Sequence, residues 1–334
     1  MARVVMLAAT ALLRVALAAA TQPSALELIE HFGLRVPVAT RATSWRPSSA
    51  SCTGFAVAGD DGGAGGVASV AAIDGLVDEP LRRALLAAMG EDDARFEAGP
   101  SPEAWTTGLL TDHDDDVESG AVEGAPSLGL RPRVLAGLRD AGAVVELESR
   151  LRAWLVHANG GDEGLVLSRV PFQALGGADV PTLVGNAPVH GDGVAYAWHV
   201  DGDPSASPPS PWRDAFGDYP NRLPGAPRWV TALVYVGREW RDDWAAPTRF
   251  LDPAGPRVLE VAPAPGRVVL FDADLGHSVT APAAAAGKRA RFSLALKLVV
   301  HPGGGDRAEL GVFDDDGDFP RGAFRALRRD DFPP

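Results

Sequence analysis

The residues with the most chemical potential lie in AYAWHVDGDP (195–204), where His199 and Asp201 are two apart. If Val194 to Asp201 is a strand, alternate side chains share a face. His199 and Asp201 then point together, with Ala197 and Ala195 behind them and Trp198, Tyr196 and Val194 opposite. Such a pair can be two metal ligands, half of a general-base pair, or the solvent-facing end of a strand. His277, after the turn-rich ADLG (273–276), offers a third donor. Two imidazoles and one carboxylate on one face of a metal leave positions open, the arrangement that suits non-haem Fe(II).

Fourteen residues beyond His277, the run RFSLALKLVV (291–300) alternates cleanly. Arg291, Ser293, Ala295 and Lys297 share one strand face; Phe292, Leu294, Leu296 and Leu298 form the other, which reads as core. A guanidinium and a hydroxyl two residues apart can hold a carboxylate between them. Taken alone, the run reads better as a strand with one solvated face. The remaining histidines have plainer readings. His31 and His157 sit in helical patterns, His113 in an acidic loop and His301 just past a strand. His190-Gly191-Asp192 repeats the His-x-Asp spacing, but Gly191 and Gly193 make it a turn.

Strands must carry these residues, and the second half of the chain supplies them. Short β-rich runs separated by Pro and Gly occur at 165–170, 194–200, 228–236, 256–262, 266–272, 277–280 and 291–300, a pattern that predicts a sandwich or barrel. The first half reads differently. A short amphipathic helix is expected over Ala25–Phe32, followed by a Ser-, Gly- and Asp-rich linker to residue 66. A turn and a helix are expected over Ile73–Met89, with Leu81, Leu85, Leu86 and Met89 at helical spacing. Residues 91–130 read as acidic loop. A longer helix over about 133–157, interrupted near Gly142, carries Leu147, Leu151, Trp154 and Leu155 for packing on a sheet.

On these residues the sequence resembles the 2-oxoglutarate- and Fe(II)-dependent dioxygenases, and within them the prolyl 4-hydroxylase-like branch. The match spans roughly residues 164–300. The resemblance implies a mainly β protein with supporting helices and a double-stranded β-helix (jelly-roll, cupin-like) core. It implies His199, Asp201 and His277 as iron ligands and Arg291 as the anchor for the C5 carboxylate of 2-oxoglutarate. The run HVDGDP…RWVTALVYVGREW is similar to the hypoxia-type prolyl hydroxylases, whose motif continues His-x-Asp-Asn-Pro and then RxVTxxYYL. Tyr235 falls where that group has a tyrosine that hydrogen-bonds 2-oxoglutarate, with Thr231 on the same strand face and Ser293 beside Arg291. The chain departs from the pattern with Gly-Asp-Pro in place of Asn-Pro, and with Arg where the collagen-type enzymes use Lys.

The implied activity is oxidoreductase chemistry: a substrate C–H is hydroxylated with O₂, and 2-oxoglutarate is converted to succinate and CO₂, with stimulation by ascorbate. The implied substrate is a prolyl residue in a peptide or protein, with a small molecule as the alternative. A non-catalytic cupin-like binding protein is the rival from another class, and a zinc hydrolase a third option. The proline-rich connection 202–228 is the expected substrate-covering segment, with Trp212 and Tyr219 as its contact residues.

Composition narrows the classes further. At 46% hydrophobic and 22% charged, the 334-residue chain is composed as a globular protein. A formal net charge of −13 argues against a nucleic-acid backbone as partner. Cys52 is the single cysteine, which excludes an internal disulfide and a cysteine-rich zinc site. Residues 1–20 hold Arg3, Arg14, an apolar run and Ala18-Ala19-Ala20, and read as a secretory signal peptide, with an organelle transit peptide or a cytoplasmic chain as alternatives. Arg14 weighs against the first, at about 2.5–3.5 kcal/mol for a charge mid-membrane. No later stretch is long and apolar enough to span a membrane. The expected organisation is therefore a leader (1–20), a helical and loop support region (21–160), the dioxygenase domain (161–301) and a tail (302–334).

Overall fold

The computed structural model describes residues 36–37, 44–58, 67–107, 127–158, 165–170, 182–223, 226–251 and 258–301. The leader, the helix expected over Ala25–Phe32 and the tail lie outside the described residues. The first strands are β1 (Val36–Pro37), β2 (Ser51–Ala58), β3 (Val67–Asp74), β4 (Trp105–Thr107), β5 (Ser127–Leu130) and β6 (Val166–Arg169). Then come β7 (Leu183–Pro188), β8 (Val194–His199), β9 (Arg228–Tyr235) and β10 (Thr248–Leu251). The last are β11 (Val258–Val261), β12 (Val268–Asp272), β13 (His277–Thr280) and β14 (Ser293–His301). The helices are α1 (Glu79–Ala88), α2 (Pro132–Leu138), α3 (Gly142–Ala158) and α4 (Pro211–Phe216). Among the described residues, no helix is long and apolar enough to cross a membrane.

From β7 onward the chain passes back and forth between two antiparallel sheets. β7, β9, β12 and β14 join the larger sheet in the order β12-β9-β14-β7; β8, β10, β11 and β13 form the smaller one in the order β11-β10-β13-β8. Eight strands wound in this way make a double-stranded β-helix, a jelly roll. The N-terminal strands widen the larger sheet on both sides, β3 and β2 beyond β12, β5 and β4 beyond β7.

Period-two alternation sets which face does what. Val230, Ala232 and Val234 of β9 and Leu294, Leu296 and Leu298 of β14 pack outward against Leu81, Leu85, Leu147, Leu151 and Trp154 of α1 and α3. Each of these leucines contributes about 1.5–3 kcal/mol by leaving water. Leu233, Tyr235 and Ala295 point the other way, into a second core shared with Phe250, Leu259 and Val261 of the smaller sheet. The helices therefore cover one face of the larger sheet, and its opposite face lines the space between the sheets. Asp78 caps α1 by accepting from the Leu81 amide, and Pro80 sits in its first turn, so the helix starts where the strand-to-helix turn delivers it.

Two parts of the first half differ from expectation. β2 and β3 lie in or next to the stretch read as linker, and their ladder runs from Ser51 opposite Asp74 to Ala58 opposite Val67. β4 and β5 fall inside the stretch read as acidic loop. A Ser-, Gly- and Ala-rich strand gains its stability from a neighbouring strand, which local composition does not reveal. The helix break near Gly142 is present, between α2 and α3.

Candidate functional site

His199 ends β8 and His277 opens β13, and the two residues are directly opposite in the antiparallel ladder. Their rings lie 4.2 Å apart between centroids. Nδ1 of His199 is 2.8 Å from the Ala197 carbonyl and Nδ1 of His277 is 3.0 Å from the Leu275 carbonyl. A carbonyl only accepts, so each ring carries its proton on Nδ1 and leaves the Nε2 lone pair for a metal.

Asp201 is fixed to the other half of the site through backbone. The amides of Asp201 and Gly202 both donate to the Ala273 carbonyl, at 2.9 and 3.1 Å, in the turn that leads into His277. Donor atoms of His199, Asp201 and His277 lie within 4.8 Å of one another. His277 Nε2 is 3.7 Å from Asp201 Oδ2. Burial would raise the Asp201 carboxyl, but His277, Lys297 and the Thr231 hydroxyl outweigh it and hold the group below its ordinary range. Burial pushes the His277 imidazole down, which favours the neutral, ligating form.

The strict alternation expected for β8 is broken. His277 pairs with His199, but Val279 pairs with Tyr196, so β8 holds one extra residue between these two rungs. The bulge turns Tyr196 and His199, three residues apart, into the same cavity. Tyr196 is thus not opposite the histidine, and Trp198 is 39% exposed, with the Arg249 guanidinium 5.4 Å over its ring.

The three donors open on a cavity of ≈ 260 Å³ between the sheets. Val184, Leu233, Phe271, Val279 and Ala295 make its apolar wall, and Arg291 lies on its lining. Arg291 is 2% exposed, two residues before β14, with its amide bonded to the Pro188 carbonyl. Its Nη1 donates to the Ala246 carbonyl (2.9 Å) and the Thr248 hydroxyl (3.1 Å), and its guanidinium stacks 5.1 Å over the Tyr235 ring. Among the described residues no carboxylate pairs with it, and Nε is a buried donor without a partner. Burial lowers its proton affinity, with Tyr235 and Tyr196 opposing.

The remaining expected residues take separate places. Thr231 lines the cavity, and its hydroxyl donates to Asp201 Oδ2 at 2.8 Å. The Tyr235 hydroxyl meets the Thr248 hydroxyl at 2.8 Å, and its ring supports Arg291. Ser293 is fully buried, its hydroxyl faces the Asn186 carbonyl at 3.5 Å, and it does not itself line the cavity. The 202–228 connection has structure of its own, a 3₁₀ turn at Pro204–Ala206 and α4. Trp212 and Tyr219 are buried; Trp212 packs with Trp229, Val170 and Val299, and neither residue lines the cavity. Asn221 and Arg222 tie the same connection to Asp274.

Sequence reading missed Thr248 on β10 and Asn186 on β7, the latter accepting a 3.0 Å hydrogen bond from the Tyr196 hydroxyl. LVGNAP and TRFL are too short and mixed to announce strands; the signal that could have found them is the gap they fill between longer runs.

No family model and no curated protein matches the sequence. Among solved structures, the chain is similar to a prolyl hydroxylase from Trichoplax adhaerens in complex with a hypoxia inducible factor oxygen degradation domain peptide fragment. That match has 15% identity, covers 72% of this chain and 84% of the other, and has a TM-score of 0.39. It is also similar to a Pseudomonas putida prolyl-4-hydroxylase, at 18% identity, 67% and 82% coverage and TM-score 0.31. A Burkholderia pseudomallei oxidoreductase of the 2OG-Fe(II) oxygenase family matches at 14% identity, 56% and 68% coverage and TM-score 0.31.

Proposed function

We propose that the protein is an Fe(II)- and 2-oxoglutarate-dependent dioxygenase. The observation that carries this reading is one cavity holding both a two-histidine, one-carboxylate donor set and a buried arginine that, among the described residues, has no acidic partner. His199, Asp201 and His277 would hold Fe(II), a donor set that suits this ion. Arg291 would bind the far carboxylate of 2-oxoglutarate, which supplies the counter-charge and the acceptor for Nε. When bound, iron and 2-oxoglutarate together supply the oxidising power that hydroxylates a C–H bond, with succinate and CO₂ released. The chain's own part is orientation and exclusion of water. Thr248 and Tyr235 hold Arg291 in place, which would fix where the far carboxylate of 2-oxoglutarate binds. Leu233, Phe271 and Ala295 keep the space between anchor and metal apolar.

The substrate we propose is a prolyl residue in a peptide or protein, supported by the similarity of HVDGDP and RWVTALVYVGREW to prolyl hydroxylase motifs. The test is succinate and CO₂ formation from 2-oxoglutarate with Fe(II) and ascorbate, followed by a screen of proline-containing peptides for a mass gain of one oxygen atom. Asp201→Ala and His277→Ala should abolish turnover. Full turnover in either variant would overturn the metal assignment.

A further inference from the structure

Lys297 is a cation inside the cavity that neither metal ligation nor anchoring of 2-oxoglutarate uses. It projects from the inward face of β14, opposite Thr231 of β9, and its side chain is 14% exposed. Its backbone is fixed at the point where β14 changes partner from β7 to β6. The amide donates to the Thr182 carbonyl at 2.8 Å and the carbonyl accepts from the Val170 amide at 3.1 Å. Nζ lies 3.8 Å from Asp201 Oδ1, while the Thr231 hydroxyl sits 2.8 Å from Oδ2. The two oxygens of one carboxylate thus have different partners from two neighbouring strands.

We propose that Lys297 and Thr231 act as a clamp that keeps Asp201 a one-oxygen ligand, so that the metal retains the positions a chelating keto acid needs. The inference rests on the dioxygenase reading above. A carboxylate free to rotate can bring both oxygens to a metal and occupy one of those positions. With Oδ2 tied to Thr231 and Oδ1 facing an ammonium, rotation costs a hydrogen bond and separates an ion pair in a largely apolar cavity. Lys297 is here a positioning residue, acting through Asp201. Arg291 stands six residues away along the chain and makes its own contacts with Ala246, Thr248 and Tyr235, none of them shared with Asp201.

The test uses full-length protein, Mn(II) as a redox-silent probe, and calorimetric titration with 2-oxoglutarate, with and without the metal. Lys297→Met should bind Mn(II) within about threefold of the unaltered protein. Its affinity for 2-oxoglutarate in the Mn(II) form should fall by about tenfold or more, which is about 1.4 kcal/mol or more. Its affinity for 2-oxoglutarate without metal should be unchanged, and Lys297→Arg should restore the Mn(II)-dependent binding. Equal loss with and without metal would mean that Lys297 holds 2-oxoglutarate directly, and would overturn the clamp. So would an unchanged affinity in the Mn(II) form. Failure of the unaltered protein to bind Mn(II) at all would instead sink the dioxygenase reading beneath it.

Discussion

Replacing Arg291 with alanine separates the proposed anchor from the metal centre, because the guanidinium touches none of the three metal donors. Among the described residues the cation has the Ala246 carbonyl and the Thr248 hydroxyl for partners and no acid. Bound 2-oxoglutarate would complete a buried, hydrogen-bonded charge pair. Truncating one member of such a pair costs about 2–5 kcal/mol. At about 1.4 kcal/mol per tenfold, half-saturation by 2-oxoglutarate should rise by roughly 30- to several-thousand-fold. Folding should suffer less. Two acceptors lose a donor, at about 1–3 kcal/mol each if left dry, but an unpaired buried cation is removed at the same time. The assay is CO₂ release against 2-oxoglutarate concentration at saturating Fe(II), with thermal unfolding as the control for fold. Arg291→Lys should fall between the two, since it keeps the charge and loses the planar fork. A well-folded Arg291→Ala protein whose half-saturation moves by less than about threefold, under 0.7 kcal/mol, would refute the anchor.

Other consequences can be checked on the same protein. Gly185→Ala places a Cβ 2.1 Å from Leu130 Cδ1 and 2.4 Å from its Cγ, so overpacking of about 1–3 kcal/mol should lower the melting temperature. Trp212→Ala should cost about 3–5 kcal/mol in denaturant unfolding, because the ring is fully buried; a surface lid residue would cost almost nothing. Tyr196→Phe removes the hydroxyl that links Ser127 to Asn186 and should lower stability by about 1 kcal/mol while leaving Mn(II) affinity unchanged. Metal-free protein should lose stability in acid through His277. Its folded value is depressed below 6.5, so the contribution is present above that pH and is lost as the pH falls from there through the folded value. A melting temperature flat across that window would count against the buried, neutral imidazole.

How the residues divide between what was legible and what was not has a physical cause. Both inner strands, RWVTALVYV and RFSLALKLVV, are buried on both faces, and alternation exposed the second, whose polar positions sort by parity. Helical spacing exposed α1 and α3, each a single apolar stripe laid on a sheet. The candidate donors His199, Asp201 and His277 were legible because metal chemistry requires particular residue types, and the ends of strands are where such residues can project. These are properties of each segment taken separately.

Tertiary structure decided the rest. Short strands such as β7 and β10, and the plain-composition β2, exist because a neighbour completes their hydrogen bonds, and no local pattern records the neighbour. The bulge that turns Tyr196 toward His199 arises from the pairing of β8 with β13, not from either strand alone. Ser293 faces Asn186 and Trp212 sinks into a core cluster because position across the sheets, rather than spacing along the chain, sets what a side chain meets. Lys297 and Asp201, 96 positions apart, are brought to 3.8 Å by the same winding. Residue types and periodicity thus picked out the His-Asp-His set; only the two packed sheets determined what surrounds it.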